Sequence, residues 1–357
     1  MASADETLYD TTIIGAGPVG LYASVWAGLR NLKTKIVEAL AEAGGQLAVL
    51  YPEKFIYDVP GFPRILAKDL ARQLLTQAQQ FRPKICFEER VRSVKVNGDS
   101  TIVLEGSKQT HFSKTVVICA GIGAFSPNRL DAPGVKELEG KGIFYFVKDK
   151  SHFRGKRILI VGGGDSAVDW ALTMRDWAKE VILIHRRDAF RAHERSVTEL
   201  MSSDVKMRLF YELTEVHGTD HVEAATIQSS KTGEESYLPV DAVIIAVGFK
   251  ADLGDIRTWG LALEERAIKV NSRMETNVPG VYACGDIASP QGSMKLNLIA
   301  TGFAQATVAV NQVKHYLDPS APVEPEYMSG KRLFSSRTQL GEGSAVDSTE
   351  AGNPLGH

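Results

Sequence analysis

Leu8-Tyr9-Asp10-Thr11-Thr12-Ile13-Ile14-Gly15-Ala16-Gly17-Pro18-Val19-Gly20 decides how this chain is read. A short strand, Leu8 to Ile14, runs directly into a glycine loop, and the pattern predicts a helix from Pro18 to about Leu29. Thr34 to Glu38 supplies the next strand, which ends on an acid 18 positions beyond Gly20. This is a βαβ unit of about 30 residues, the context in which G-x-G-x-x-G points to a dinucleotide. Gly15 and Gly17 let the backbone turn tightly and approach a pyrophosphate, and Gly20 permits close helix–strand packing. The start of the helix at Pro18 offers free N–H groups to the phosphates. Glu38 stands where a carboxylate accepts hydrogen bonds from adenosine ribose hydroxyls.

The same logic recurs 147 positions later, with the charge reversed. Arg157 to Val161 reads as a buried parallel strand, and Gly162-Gly163-Gly164-Asp165-Ser166-Ala167 opens the next helix. Ala167 in place of a third glycine still allows tight packing. The following strand, Glu180 to Ile184, runs out into His185-Arg186-Arg187-Asp188, with Arg191 shortly after. Guanidinium groups match phosphate oxygens bidentately, so the cluster fits the 2′-phosphate of NADP(H). A solvated basic turn is the plainer reading, but the position at the end of the second strand favours the phosphate. No acid occupies the place that would favour NAD. The NADP(H) set is therefore Gly162, Gly164, Asp165, Ser166, Ala167, His185, Arg186, Arg187 and Arg191.

The choice of FAD for the first site rests on a distant segment, Thr276 to Ile287, ending Ala283-Cys284-Gly285-Asp286-Ile287. A small strand running into Gly-Asp before a helix resembles the way many FAD proteins place a carboxylate on the ribityl and pyrophosphate region. The alternative is a simple turn with a helix cap. Lys295 to Val313 is predicted as that helix, its N-terminus turned toward the flavin pyrimidine edge.

Gly44 to Pro63 reads as loop, Lys68 to Phe81 as helix, and Cys86 to Ala120 as short strands with a hairpin at Asn97-Gly98-Asp99. Two apolar strands, Thr115 to Ala120 and Ala242 to Val247, each end in glycine and mark crossings between domains. The expected fold class is α/β: two Rossmann-like, three-layer dinucleotide-binding domains, the NADP domain inserted into the FAD domain. The FAD domain takes residues 1–122 and 249–330, the NADP domain 123–248, and 331–357 form a partly disordered C-terminal extension.

The bulk properties agree. A chain of 357 residues suits two domains of ordinary size. A net charge of −2 gives no sign of nucleic acid or an anionic membrane as partner. Arg82, Lys84, Arg90 and Arg92 form either a docking patch for an acidic partner or a solvated face. The three cysteines, Cys86, Cys119 and Cys284, are far apart in sequence, and the last two lie in apolar runs. They read as small buried hydrophobes in a reducing compartment. The polar, acidic start from Met1 to Asp10 has no signal-peptide pattern, and no apolar run reaches the roughly 20 residues of a membrane span. Cytoplasmic location is expected. No metal site and no catalytic acid or base is expected.

From Tyr9 to about residue 317 the chain resembles the two-dinucleotide-binding-domain flavoproteins. Within them it is similar to the ferredoxin/flavodoxin–NADP⁺ reductases of the thioredoxin-reductase-like type. Gly15-Ala16-Gly17-Pro18-Val19-Gly20-Leu21, Val147-Lys148-Asp149-Lys150, Gly162 to Trp170 and His185-Arg186-Arg187-Asp188 carry the likeness. The resemblance implies a homodimer and flavin contacts at Glu38, Gln46, Tyr51, Val91, Phe125 and Asp286. Tyr51 would stack on one face of the isoalloxazine. An aromatic of the partner subunit's C-terminal extension would cover the other, with Phe334 and Ser336 the first choice and Tyr327 with Ser329 the second. Thioredoxin reductases hold Cys-x-x-Cys just before the second fingerprint, where this chain reads Phe146-Val147-Lys148-Asp149. The implied activity is hydride transfer from NADPH to FAD, then reversible single-electron transfer to ferredoxin or flavodoxin. The alternatives are a flavoenzyme with another acceptor, such as quinone or oxygen, or a thioredoxin-reductase-like protein lacking the redox disulfide. Related enzymes rotate their domains, which puts hinges near Gly123 and Gly248.

Overall fold

An apolar strand followed by a glycine-led helix occurs twice along the chain, and each occurrence seeds one sheet, the first mixed and the second parallel. The computed structural model describes residues 3–323, and for residues 3–6, 124, 125 and 251 the backbone alone. In β1 (Ser3–Ile14), Thr11-Thr12-Ile13-Ile14 is buried on both faces, as a central parallel strand must be. α1 (Pro18–Leu29) starts with Pro18 in its first turn, where a missing N–H costs nothing. It returns the chain to β2 (Thr34–Val37), parallel to β1. The stretch read as loop from Gly44 to Pro63 contains α2 (Gln46–Val49) and β3 (Phe55–Ile56), which pairs with β4 (Ile65–Leu66). These elements are too short to leave a periodic signal.

α3 (Ala67–Gln79) buries Leu70, Ala71, Leu74 and Ala78, an apolar stripe at helical spacing. β5 (Lys84–Cys86) joins β2, and β6 (Val91–Val96) with β7 (Ile102–Gly106) forms the hairpin around Asn97-Gly98-Asp99. β8 (Gln109–Ile118) then runs beside β1 through the centre of the sheet.

The chain next passes through β9 (Ala124–Pro127) and β10 (Ile143–Phe144) into the second unit. Its elements are β11 (Arg157–Val161), α4 (Asp165–Met174), β12 (Glu180–His185), α5 (Glu194–Met201) and β13 (Lys206–Leu209). An antiparallel meander of β14 (Tyr211–His217), β15 (Ala224–Ser229) and β16 (Glu235–Pro239) leads to β17 (Ala242–Ile245), which inserts between β10 and β11. Alternate residues of β11 serve opposite faces. Leu159 and Val161 belong to one core, Ile158 and Ile160 to another, so this sheet is the middle of three layers.

β18 (Phe249–Asp252) pairs antiparallel with β9 alone, so the two connecting passages lie side by side as a ribbon outside both large sheets. β19 (Leu263–Glu264), β20 (Ala267–Val270), β21 (Val281–Ala283), β22 (Ala288–Pro290) and α6 (Ile299–Leu317) follow. β21 returns to the first sheet and lies parallel to the end of β8. α6 begins four residues later than the sequence predicts, because Lys295 to Leu298 is exposed and carries no regular structure, with Leu298 extended. It ends just before Asp318-Pro319, where proline disfavours further helix. No helix among the described residues is long and apolar enough to cross a membrane.

Candidate dinucleotide sites

The C-terminal ends of β1, β2, β8 and β21 open onto one cavity of about 580 Å³, the edge where open α/β sheets bind ligands. Gly15, Gly17, Pro18, Glu38, Gln46, Tyr51, Val91 and Asp286 all line it. Eight residues chosen from the sequence, from Gly15 to Asp286, thus meet in one place. Gly20 does not line it; a Cβ there would overlap the Gly15 carbonyl oxygen, so its part is packing. Gly15 holds φ +106°, and a side chain on it would run into the Cys119 carbonyl. Its own N–H donates to Val37 O at 2.8 Å, which closes the loop against β2.

Glu38 is buried, 6% exposed, and braces the same loop. Its Oε2 accepts from Ala16 N at 2.6 Å and its Oε1 from Leu40 N at 2.8 Å. Burial pushes its carboxyl above the usual range, against the pull of those two N–H donors. Each oxygen keeps a further lone pair for a hydroxyl donor. Elsewhere on the lining, Gln46 Nε2 donates to Asp286 Oδ2 at 3.5 Å. Asp286 is also raised by burial, opposed by Gln46 and by the charge of Lys295. The Tyr51 hydroxyl is pushed up to about 12 by burial, with Asp286 and Asp58 adding repulsion, so it stays protonated. Asn297, Leu298 and Ile299 bring the N-terminus of α6 to the same cavity. A glycine cradle, a helix start, a buried acid at Glu38 and a half-buried one at Asp286 on one cavity fit a dinucleotide.

Residues that the sequence did not single out for this site also line it. Arg90 flanks Val91, and Ile256 and Trp259 come from the segment after β18. Trp259 is held by its Nε1–H donating to Arg92 O at 2.9 Å. No local motif marks them, since only the return of the chain after Phe249 brings them there. Phe146 lines the cavity as well and stacks on Phe249, ring centroids 5.3 Å apart and 17° from coplanar. The stretch that carries no Cys-x-x-Cys therefore reaches the cavity with an aromatic ring.

The cysteines differ from the sequence reading in one respect. Cys119 and Cys284 are buried as expected, but in-register pairing of β8 with β21 sets their Sγ atoms 3.3 Å apart beneath the first glycine loop. Hydrogen bonding with Cys284 and burial push the Cys119 thiol well above its ordinary range. Phe125 has no described side chain, and Phe334, Ser336, Tyr327 and Ser329 lie outside the described residues.

At the second fingerprint, Gly162 to Ala167 turns from β11 into α4, with Gly164 as N-cap. The His185 ring packs over Gly163, where a Cβ would overlap the imidazole. Burial lowers the His185 pKa, so the ring is neutral near pH 7. It stacks on Phe190 with centroids 5.3 Å apart. Arg186, Arg187 and Arg191 are exposed on the loop that follows, and Arg191 N donates to Gly163 O at 2.7 Å. Asp165, Arg191, His193 and Arg195 line an open cavity of about 570 Å³ at that loop. Ser166 is half-buried and Ala167 fully buried, the latter at the helix–sheet contact. No cluster of potential metal ligands occurs among the described residues.

Known proteins share this sequence and fold over most of their length. A ferredoxin–NADP reductase of Sulfurisphaera tokodaii is 53% identical over 317 residues, covering 88% of this chain and 95% of the relative. A ferredoxin–NADP reductase of Geobacillus kaustophilus is 48% identical over 324 residues, covering 90% and 97%. The thioredoxin reductase of T. acidophilum superposes with a TM-score of 0.76 at 29% identity, covering 88% of this chain and all of that one. The fold is thus thioredoxin-reductase-like. The family model described as pyridine nucleotide-disulphide oxidoreductase matches residues 9–312, both fingerprints included, and this chain belongs to that family.

Proposed function

We propose that this chain is an NADPH-dependent flavoprotein reductase that passes electrons to ferredoxin, or to flavodoxin in its place. FAD occupies the first cavity and NADP(H) the second fingerprint. The observation that carries the reading is the pairing of one acid-closed and one arginine-closed fingerprint with Phe146-Val147-Lys148-Asp149, not a Cys-x-x-Cys, before the second of them, Phe146 reaching the first cavity. Bound flavin supplies the chemistry, accepting a hydride and releasing electrons singly.

The residues of the chain hold and orient. Gly15, Gly17 and the start of α1 receive the pyrophosphate, and Glu38 takes the ribose hydroxyls. Tyr51, neutral at any physiological pH, offers a flat apolar face, and Asp286 with Gln46 fixes the ribityl end. Arg186, Arg187 and Arg191 select the 2′-phosphate. Residues 1–122 with 249–330 form the FAD domain and 123–248 the NADP domain, and the protein works as a cytoplasmic homodimer. Phe334 or Tyr327 of the C-terminal extension, with Ser336 or Ser329, covers the second flavin face across the dimer.

The test is direct. The purified protein should be yellow, NADPH should bleach it without oxygen, and cytochrome c reduction should depend on added ferredoxin. Failure to bleach would sink the enzyme reading; bleaching without ferredoxin dependence would point to a quinone or oxygen as acceptor.

A further inference from the structure

Three pins hold the loop from Arg186 to His193 against the second fingerprint. The His185 Nε2–H donates to Ala189 O at 3.1 Å. Arg191 N–H donates to Gly163 O at 2.7 Å, and His193 N–H donates to Asp165 Oδ1 at 2.9 Å. The first two use a neutral ring and backbone groups. The third uses a carboxylate, and that choice is costly on its face. Asp165 opens α4, whose free N–H groups attract anions. An unengaged acid there would repel the phosphate that the loop and helix are arranged to receive. It lines the same open cavity as Arg191, His193 and Arg195, so its charge is felt where the ligand arrives.

We propose that Asp165 is a positioning residue for 2′-phosphate recognition. By holding the His193 amide it keeps Arg191, two residues earlier, at the lip of the phosphate loop. The guanidinium then meets the ligand already in place, and little loop ordering is charged against binding. The arginine cluster gives the site its charge, and Asp165 gives that charge its position. The inference rests on the NADP(H) reading of this site.

The experiment titrates adenosine 2′,5′-bisphosphate and 5′-AMP, which lacks the 2′-phosphate, into the flavin-loaded protein by calorimetry. Asp165→Ala should weaken the bisphosphate about ten-fold and 5′-AMP by less than about two-fold. Asp165→Asn keeps a carbonyl oxygen that accepts from His193 N–H, and should stay within about two-fold of the parent. Asp165→Ala combined with Arg191→Ala should bind the bisphosphate no more weakly than Arg191→Ala alone. Unchanged or tighter bisphosphate binding by Asp165→Ala overturns the proposal, as does an Asn variant as weak as Ala or full additivity with Arg191→Ala. If Arg186→Ala with Arg187→Ala leaves bisphosphate affinity untouched, the NADP(H) reading itself fails, whatever Asp165 does.

Discussion

The Lys54 ammonium donates to the Asp169 carboxylate at 2.7 Å, tying the segment after Tyr51 to the helix of the second fingerprint. Lys54 also lies 5.8 Å from the Tyr51 ring centroid, so the proposed flavin platform and α4 share one cation. Lys150 to Glu53, at 3.4 Å, makes a second tie alongside. Neither partner of the first pair is fully exposed, which lifts it above an ordinary surface ion pair. Lys54→Met or Asp169→Asn should speed amide hydrogen exchange in residues 53–57 and 165–174 by roughly five-fold, equivalent to about 1 kcal/mol. The double variant should add nothing to either single one. Independent, additive effects would show that the two segments are not coupled through this pair.

Glu38 is expected to hold the first cofactor through geometry that glutamine cannot copy. Both of its oxygens accept backbone N–H groups, and Glu38→Gln would turn an NH₂ toward one of them. A buried hydrogen bond lost in this way costs about 1–3 kcal/mol, so flavin retention should fall roughly ten- to a hundred-fold. Visible flavin absorbance per protein after dialysis measures it. Retention equal to the parent would mean that Glu38 braces nothing the cofactor needs.

The paired thiols lead to a negative expectation. A thiol as deeply buried as Cys119, its pKa raised, stays protonated and is a poor nucleophile. Anaerobic reductive titration should therefore consume about one two-electron equivalent per flavin, with no new reactive thiol after NADPH. Consumption of about two equivalents would assign Cys119 and Cys284 a redox role.

Acid should loosen the second sheet at a defined place. Asp241 accepts from Arg157 N at 2.7 Å and from the Arg157 guanidinium at 2.6 and 3.1 Å, joining β11 to the start of β17. Arg157 holds the Asp241 carboxyl down to about 2 from an ordinary 3.8. Because the folded value is depressed, the stabilisation is fully present above about pH 4 and is lost as pH falls toward 2. Both side chains are about one-third exposed, 34% and 37%, so solvent screening limits the pair to about 1 kcal/mol. Asp241→Asn should melt lower than the parent at pH 7, and the gap should close between pH 4 and 2. A gap that persists at pH 2 would assign the loss to packing instead.

Much of this was legible because nucleotide loops are local. Gly15 to Gly20 and Gly162 to Ala167 announce themselves through spacing, and Glu38 and Arg186 follow at strand ends. Even Asp286 could be placed, since Gly285-Asp286 follows an apolar strand. Contacts made by register were not legible. The Cys119–Cys284 approach needs β21 beside β8, and Trp259 needs the return of the chain after Phe249. Lys35 shows the limit most plainly. It lies fully buried in β2, its Nζ 3.3 Å from His111 Nδ1 and 4.2 Å above the Tyr9 ring, in a stretch whose sequence marks it as a strand and gives no sign of a buried cation. The late start of α6 belongs here too, because only exposure distinguishes Lys295 to Leu298 from a helical turn.

The placement of β21 sets a timetable for synthesis. Val116, Val117 and Ile118 wait for Val281, Tyr282 and Ala283 as sheet neighbours, and the whole second sheet lies between them in the chain. At ribosomal speed that interval lasts roughly 10–30 s. For that time the nascent chain carries an apolar strand edge with no neighbour, the feature most prone to pair with another chain. Newly made protein therefore needs shelter until β21 emerges, and truncation anywhere before Val281 should yield aggregate in place of a smaller working unit.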